Sequence, residues 1–260
     1  MPDKFIYLSH SRLSTNDGIY TKVYDINFSR YSYRLLGGDL AEKSFENNRI
    51  ISHLDSVFDL KSTHTLLSIG NHDHTSDGNF YEHTKKSKYG LYQGNGVSFI
   101  VLDSQDSLSS IVGDQKKFLF EVLDTITTSK VIVLSHKLVF MDQHDIMDDM
   151  INLVCNGKKG DCFYCHNTNN FKKEIYPEII KLRKKGKEVY WIGGDLGGKI
   201  SRFEYKDENG IVFLGNGFWH ENEDNQVLIF ENGKKMRYRF VHIDTLLKLQ
   251  NSHLFYNLFD

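Results

Sequence analysis

The chain has 260 residues, 40% hydrophobic and 25% charged, with 32 basic against 34 acidic side chains and a formal net charge of -2. These are globular values that exclude wholesale disorder, and the near-neutral balance excludes a chain built mainly for non-specific nucleic-acid or anionic-membrane binding, which needs a large excess of Lys and Arg. No apolar stretch approaches the roughly 20 residues that span a bilayer, and the start lacks a cationic, then apolar, leader, so a cytoplasmic protein of one domain over residues 1–260 is expected.

In chain order, short β-rich runs end abruptly in small or polar clusters: Phe5–Leu8, Tyr33–Leu36, Thr65–Ile69, Val97–Leu102, Val131–Leu134 and Val189–Ile192. They read as buried strands. Helical spacing separates them over Ala41–Leu60, Asp114–Thr125 and Phe171–Lys185, where apolar residues recur on one face. From Ile200 onward strand follows strand, with Gly210, Gly215-Asn216-Gly217 and Asn232-Gly233 as the turns, before a terminal amphipathic helix over Ile243–Phe259. The alternation is α/β, and the antiparallel tail makes a two-sheet mixed β sandwich flanked by helices the expected architecture.

Loops at the carboxyl ends of parallel strands converge on one crevice. Five clusters of unusual residues fall there: Ser9-His10-Ser11-Arg12, Gly37-Gly38-Asp39, Gly70-Asn71-His72-Asp73, Ser135-His136-Lys137 and Gly193-Gly194-Asp195-Leu196-Gly197. Their Asp, Asn and His side chains are the oxygen and imidazole ligands of a divalent cation. The same residue types also cap turns and helices or fill polar niches.

In order and spacing these clusters resemble the calcineurin-like metallophosphoesterase family, with its D-x-H, GD-x-x-[D/N/E], GNH[D/E], strand-end His and GH-x-H motifs. Gly90–Asp103, followed by Gln115, is similar to the family's central strand pair and the helix after it. The resemblance implies a four-layer fold with Asp39 as a metal-bridging carboxylate and Asn71 and His136 as ligands of one metal. It also implies His72 as the acid at the leaving-group oxygen, oriented by Asp73. Glu42 falls on the family's acidic position, although a carboxylate at a helix start is favoured there anyway.

Two motifs depart from the pattern. His10 and Arg12 stand at the Asp and His positions of the first motif, or, in the other register, Leu8 and His10 do. Asp195 and Gly197 stand where the last motif has its two His residues. The expected metal set is therefore Asp39, Asn71, His136 and Asp195 for one tight divalent ion (manganese, iron or zinc). His10 remains for a depleted second site, where Arg12 supplies part of the missing charge. The implied function is hydrolysis of phosphate mono- or diesters by in-line attack of metal-bound water, with His72, Asp73 and Arg12 as the catalytic set. The alternative is a non-catalytic descendant that binds a phospho-ligand or glycan. The implied substrate is small, such as a nucleotide or a sugar phosphate, rather than long nucleic acid.

All three cysteines lie between 155 and 166. Cys155, Cys162, Cys165 and His166 could close a structural zinc shell, or the cysteines could be reduced and unliganded. His74, Asp77, His83, Trp219 and His220 lie in segments able to rim the crevice, and Lys85–Lys88 and Lys184–Lys187 read as solvated basic runs.

Overall fold

The computed structural model describes residues 2–13, 18–73, 77–160, 167–252, 254, 255, 258 and 259. The first sheet is built on three parallel strands, β1 (Asp3–Leu8), β2 (Tyr33–Leu36) and β3 (Thr65–Leu67). The second contains β4 (Gly90–Gly94), β5 (Val97–Val101), β6 (Lys130–Ser135), β7 (Glu188–Gly193), β8 (Arg202–Lys206) and β9 (Val212–Asn216). Its spatial order is β4-β5-β6-β7-β9-β8, antiparallel at both edges and parallel within. The chain then returns to the first sheet through β10 (Gln226–Asn232) and β11 (Met236–His242), giving the order β11-β10-β1-β2-β3.

The inner strands β1, β5, β6, β7 and β9 are continuous apolar runs because they bury both faces, whereas the edge strands β4, β8 and β11 are partly exposed. Phe5 and Tyr7 point between the sheets with Leu35, Phe99, Ile132 and Leu214, whereas Ile6 and Leu8 point outward. Phe5 meets Phe99 edge to face across the sandwich, ring centres 5.3 Å apart. Outside the first sheet lie α1 (Asn48–Phe58) and α6 (Ile243–Leu249), and outside the second lie α3 (Gly113–Thr125) and α5 (Tyr176–Lys184). Short helices α2 (Asp77–Thr84) and α4 (Ile151–Val154) fall in connections. The result is the four-layer sandwich, helices on sheet on sheet on helices.

Four expected elements are shorter or placed differently, each for a local reason. The helix expected from Ala41 begins at Asn48, because Asn47 caps it through Oδ1 to the Arg49 amide (2.8 Å) and residues 41–46 form hydrogen-bonded turns. Phe171–Ile175 is a π-helical turn ahead of α5, where Pro177 lacks the amide hydrogen that would close an α-turn back to Lys173. The last helix stops at Leu249, and the Gln250 side chain that follows ties it to the 25–27 loop, its Oε1 accepting from Asn27 N at 2.9 Å. Gly215 and Asn216 belong to β9 rather than to a turn. Among the described residues no helix is long and apolar enough to cross a membrane.

Candidate active site

Each strand end delivers its cluster to one crevice. Past β2 the backbone of Gly38 takes φ +92° and that of Asp39 φ +52°. A Cβ on Gly38 would lie 2.5 Å from Gly70 N and 2.7 Å from His136 Nδ1, so only glycine lets these three segments meet. Past β1, His10 N donates to Gly38 O (2.9 Å), tying the first two strand ends together. Past β6 and β7, His136 O accepts from both Gly194 N (2.7 Å) and Asp195 N (2.9 Å).

Asp39 lies at the centre, 1% exposed. Its Oδ1 accepts from His72 N (2.9 Å) and lies 3.7 Å from His136 Nε2. Its Oδ2 lies 3.6 Å from His10 Nε2 and 3.8 Å from Arg12 Nε and accepts no hydrogen bond from the described residues. Burial pushes the Asp39 carboxyl up, but the fields of His136, His10, His72 and Arg12 outweigh it and hold the group below the usual carboxylate range.

Two imidazoles are oriented alike. His136 Nδ1 is 2.6 Å from Gly37 O and His10 Nδ1 is 3.0 Å from Phe218 O. A carbonyl only accepts, so each Nδ1 carries a hydrogen and each Nε2 faces the crevice, the orientation that metal-ligating histidines share. His136 Nε2 then faces Asn71 Oδ1 at 3.2 Å, Asp39 Oδ1 at 3.7 Å and Asp195 Oδ1 at 3.9 Å. Burial pushes His10 down to about 4, with Asp39 opposing and Arg12 reinforcing the shift, so its ring is neutral at pH 7.

A divalent cation would find a fitting donor set here. Asp39, Asn71, His136 and Asp195 converge with oxygen and imidazole nitrogen atoms, and among the described residues the buried Asp39 Oδ2 has no hydrogen-bond donor. As placed, no three His, Cys, Asp or Glu side chains among the described residues form a closed metal-holding group. The ion-pair separations of 3.6–3.9 Å are wider than the roughly 3.0–3.4 Å between neighbouring ligands about 2.1 Å from a cation, so the ligands would have to close inward by a few tenths of an ångström.

Arg12, Glu42 and His72 form a second group at the same crevice. Arg12 Nη2 is 2.9 Å from His72 Nε2, and a guanidinium only donates, so this nitrogen accepts. His72 Nδ1 lies 2.8 Å from Glu42 Oε2, which also accepts from Arg12 Nη1 at 3.1 Å.

No protein-family model matches the sequence, and no curated protein matches it. Solved structures do. A dimetal phosphatase from Danio rerio superposes with a TM-score of 0.57 at 12% identity, over 94% of this chain and 97% of that one. A PhoD structure superposes at 0.51 and 11% identity, over 92% of this chain and 69% of that one. The fold is that of the calcineurin-like metallophosphoesterases.

Within this metallophosphoesterase fold the crevice gathers His10, Arg12, Asp39, Asn71, His72, His136 and Asp195, residues drawn from five strand ends. Both His10 and Arg12 face Asp39, whereas Leu8 packs in the outer core of the first sheet. Asp73 requires a correction. Its carboxylate does not orient His72: Oδ2 accepts from Asp39 N (2.7 Å) and Gly70 N (2.8 Å), and Oδ1 from Leu40 N (3.0 Å) and Ser44 Oγ (2.7 Å). Asp73 pins the Asp39 turn to the Asn71 turn, and Glu42 is the carboxylate on His72. Glu42 also precedes α1 in a turn, so the helix-start explanation for it does not hold. Its spacing three residues after Asp39, at the acidic position of the resembled motif, is the sequence signal that singles it out, and the contact with His72 appears only in the structure.

Trp219 lines the same crevice, whereas His83 lies on α2. The residues 161–166, with Cys162, Cys165 and His166, and His74 lie outside the described residues. Cys155 is buried in the outer core of the second sheet, its Sγ 3.8 Å from Met141 Sδ.

Proposed function

We propose that the protein hydrolyses phosphate mono- or diesters of small molecules at this crevice with one divalent cation, and that Arg12 takes the place of a second. The observation that carries this reading is the surroundings of His136 Nε2. Oxygens of Asn71, Asp39 and Asp195 converge on it at 3.2, 3.7 and 3.9 Å, the mixed nitrogen and oxygen donor set that a divalent cation takes. The residues that would hold the ion are Asp39, Asn71, His136 and Asp195. When bound, a divalent cation there supplies charge to a phosphoryl oxygen and acidity to a water molecule.

The remaining chemistry belongs to the chain. Arg12 is a permanent cation 3.8 Å from Asp39, with a planar fork suited to two phosphoryl oxygens. His72, held at Nδ1 by Glu42, offers Nε2 to Arg12 in the described state. A phosphoryl group that draws the Arg12 donors to itself leaves Nε2 to carry a proton for the leaving oxygen. The likeness to a structure described as a dimetal phosphatase supports the hydrolase reading, and Arg12 and Asp195, at positions where the resembled motifs have histidine, motivate one ion rather than two.

The test is metal content per chain by mass spectrometry after loading with manganese, iron or zinc, together with phosphate release from aryl phosphate mono- and diesters. The expected result is one ion per crevice, lost in Asp39→Asn, and turnover that falls at least about tenfold in Arg12→Lys. Absence of any Asp39-dependent ion overturns the metal reading, and ion binding without turnover on any phosphoester favours a phospho-ligand-binding protein.

A further inference from the structure

The crevice has a volume of about 300 Å³. That is the small end of the range for small-molecule sites and suits one monomeric ester. Its walls beyond the phosphoryl end are made by Trp219, Asn156 and Lys199.

The backbone that carries the indole is held in place, and the indole Nε1 donates to Glu221 Oε2 (3.4 Å). Trp219 N donates to Asn225 Oδ1 (2.9 Å), and Asn225 Nδ2 donates to Trp219 O (2.7 Å), so a single side chain clamps both backbone polar groups of the residue. The His10 ring lies 5.7 Å from the indole and the His220 ring 5.0 Å, making a strip of three aromatic rings that ends at His10 beside Asp39. Asn156 is fixed as well: its amide donates to Asp195 O (3.2 Å) and its Oδ1 accepts from Gly198 N (2.8 Å). With Oδ1 so engaged, Nδ2 is buried and has no hydrogen-bond partner among the described residues. A buried amide donor without an acceptor is costly, and a ligand that brings one removes the cost.

We infer that the site selects phosphoesters whose alcohol carries a planar ring, a nucleoside or aryl group, with the ring on the Trp219 indole and an acceptor of the alcohol portion on Asn156 Nδ2. The inference rests on the reading of the crevice as a phosphoester site. Stacking of a base on an aromatic side chain is sequence-tolerant and strong enough for at least tenfold discrimination against a ringless ester.

The chain has two tryptophans, and Trp191 is fully buried in the core of the second sheet, so a ligand-dependent change in emission reports Trp219. The manganese-loaded protein is titrated with adenosine 5′-monophosphate, phenyl phosphate, glycerol 2-phosphate and inorganic phosphate, and phosphate release is followed separately. Expected are affinities for the first two at least about tenfold above glycerol 2-phosphate. Calorimetry should show this advantage lost in Trp219→Ala and largely kept in Trp219→Phe. Asn156→Ala should weaken the nucleotide several-fold more than phenyl phosphate, whose ring has no acceptor. Equal binding of ringless and ring-bearing esters by the wild type, or a ring preference that survives Trp219→Ala, overturns the inference. Ring preference without turnover supports the inference and removes the hydrolase reading, whereas turnover without ring preference does the reverse.

Discussion

Two buried titratable groups beside Asp39 respond to pH in opposite senses. His10 is pushed from its ordinary 6.5 down to about 4 by burial, so as pH falls the unfolded chain takes up this proton first and stability is lost between about 6.5 and 4. Asp73 is raised to about 6 by burial and by the Asp39 charge, so the folded state takes up that proton first and stability is gained as pH falls from about 6 toward 3.8. The two nearly cancel in the metal-free protein. His10→Asn should therefore gain stability relative to wild type on acidification, by up to roughly 3 kcal/mol at the completed shift. Urea midpoints of both metal-free proteins at pH 7 and pH 4.5 check this, and an unchanged difference refutes it. Asp73→Asn sets an amide against a pocket of three backbone donors and the Ser44 hydroxyl. It should cost about 2–4 kcal/mol of stability, read from urea unfolding. A variant of wild-type stability that merely lost turnover would instead return Asp73 to His72.

At the scale of elements, the site depends on where strands and helices stop. The α1 helix begins only at Asn48 because Asn47 caps it, which leaves residues 41–46 in a turn that carries Glu42 to His72. Asn47→Ala should lower stability by about 1 kcal/mol in thermal or urea unfolding. At the end of β2, Gly38→Ala places a methyl against Gly70 N and His136 Nδ1 at a φ of +92°. Expected is loss of the Asp39-dependent metal ion while the far-ultraviolet circular dichroism of the sheets persists; full metal occupancy would show that the strand ends can separate without cost.

Over the whole molecule, the inter-sheet core fixes the relation of the β1–β3 ends to the β6 and β7 ends, so ion binding between them is linked to global unfolding. A cation at 100 times its dissociation constant should add about 2.7 kcal/mol, a rise of several degrees in Tm, absent in Asp39→Asn. Calorimetric scans with and without manganese measure it, and an equal rise in the variant would place the ion elsewhere. This architecture was largely legible in the sequence. Runs such as Phe5–Leu8 and Val131–Leu134 are apolar on both faces, and the breaks at Gly37-Gly38, Gly70 and Gly193-Gly194 mark the ends that meet at the crevice.

What the sequence by itself determined is the strand succession, the sandwich class and the set of polar residues at the strand ends, because burial along one element leaves a periodic trace in composition. The tertiary structure alone decided which of those residues meet. Glu42 rather than Asp73 is the carboxylate on His72, His10 and Arg12 together face Asp39, and Trp219 joins the crevice from 180 residues beyond Asp39 in the chain. The physical reason is range: local pattern reports whether a side chain is buried. Partner choice among neighbouring carboxylates turns on hydrogen-bond distances near 3 Å between segments that only the packed sheets bring together.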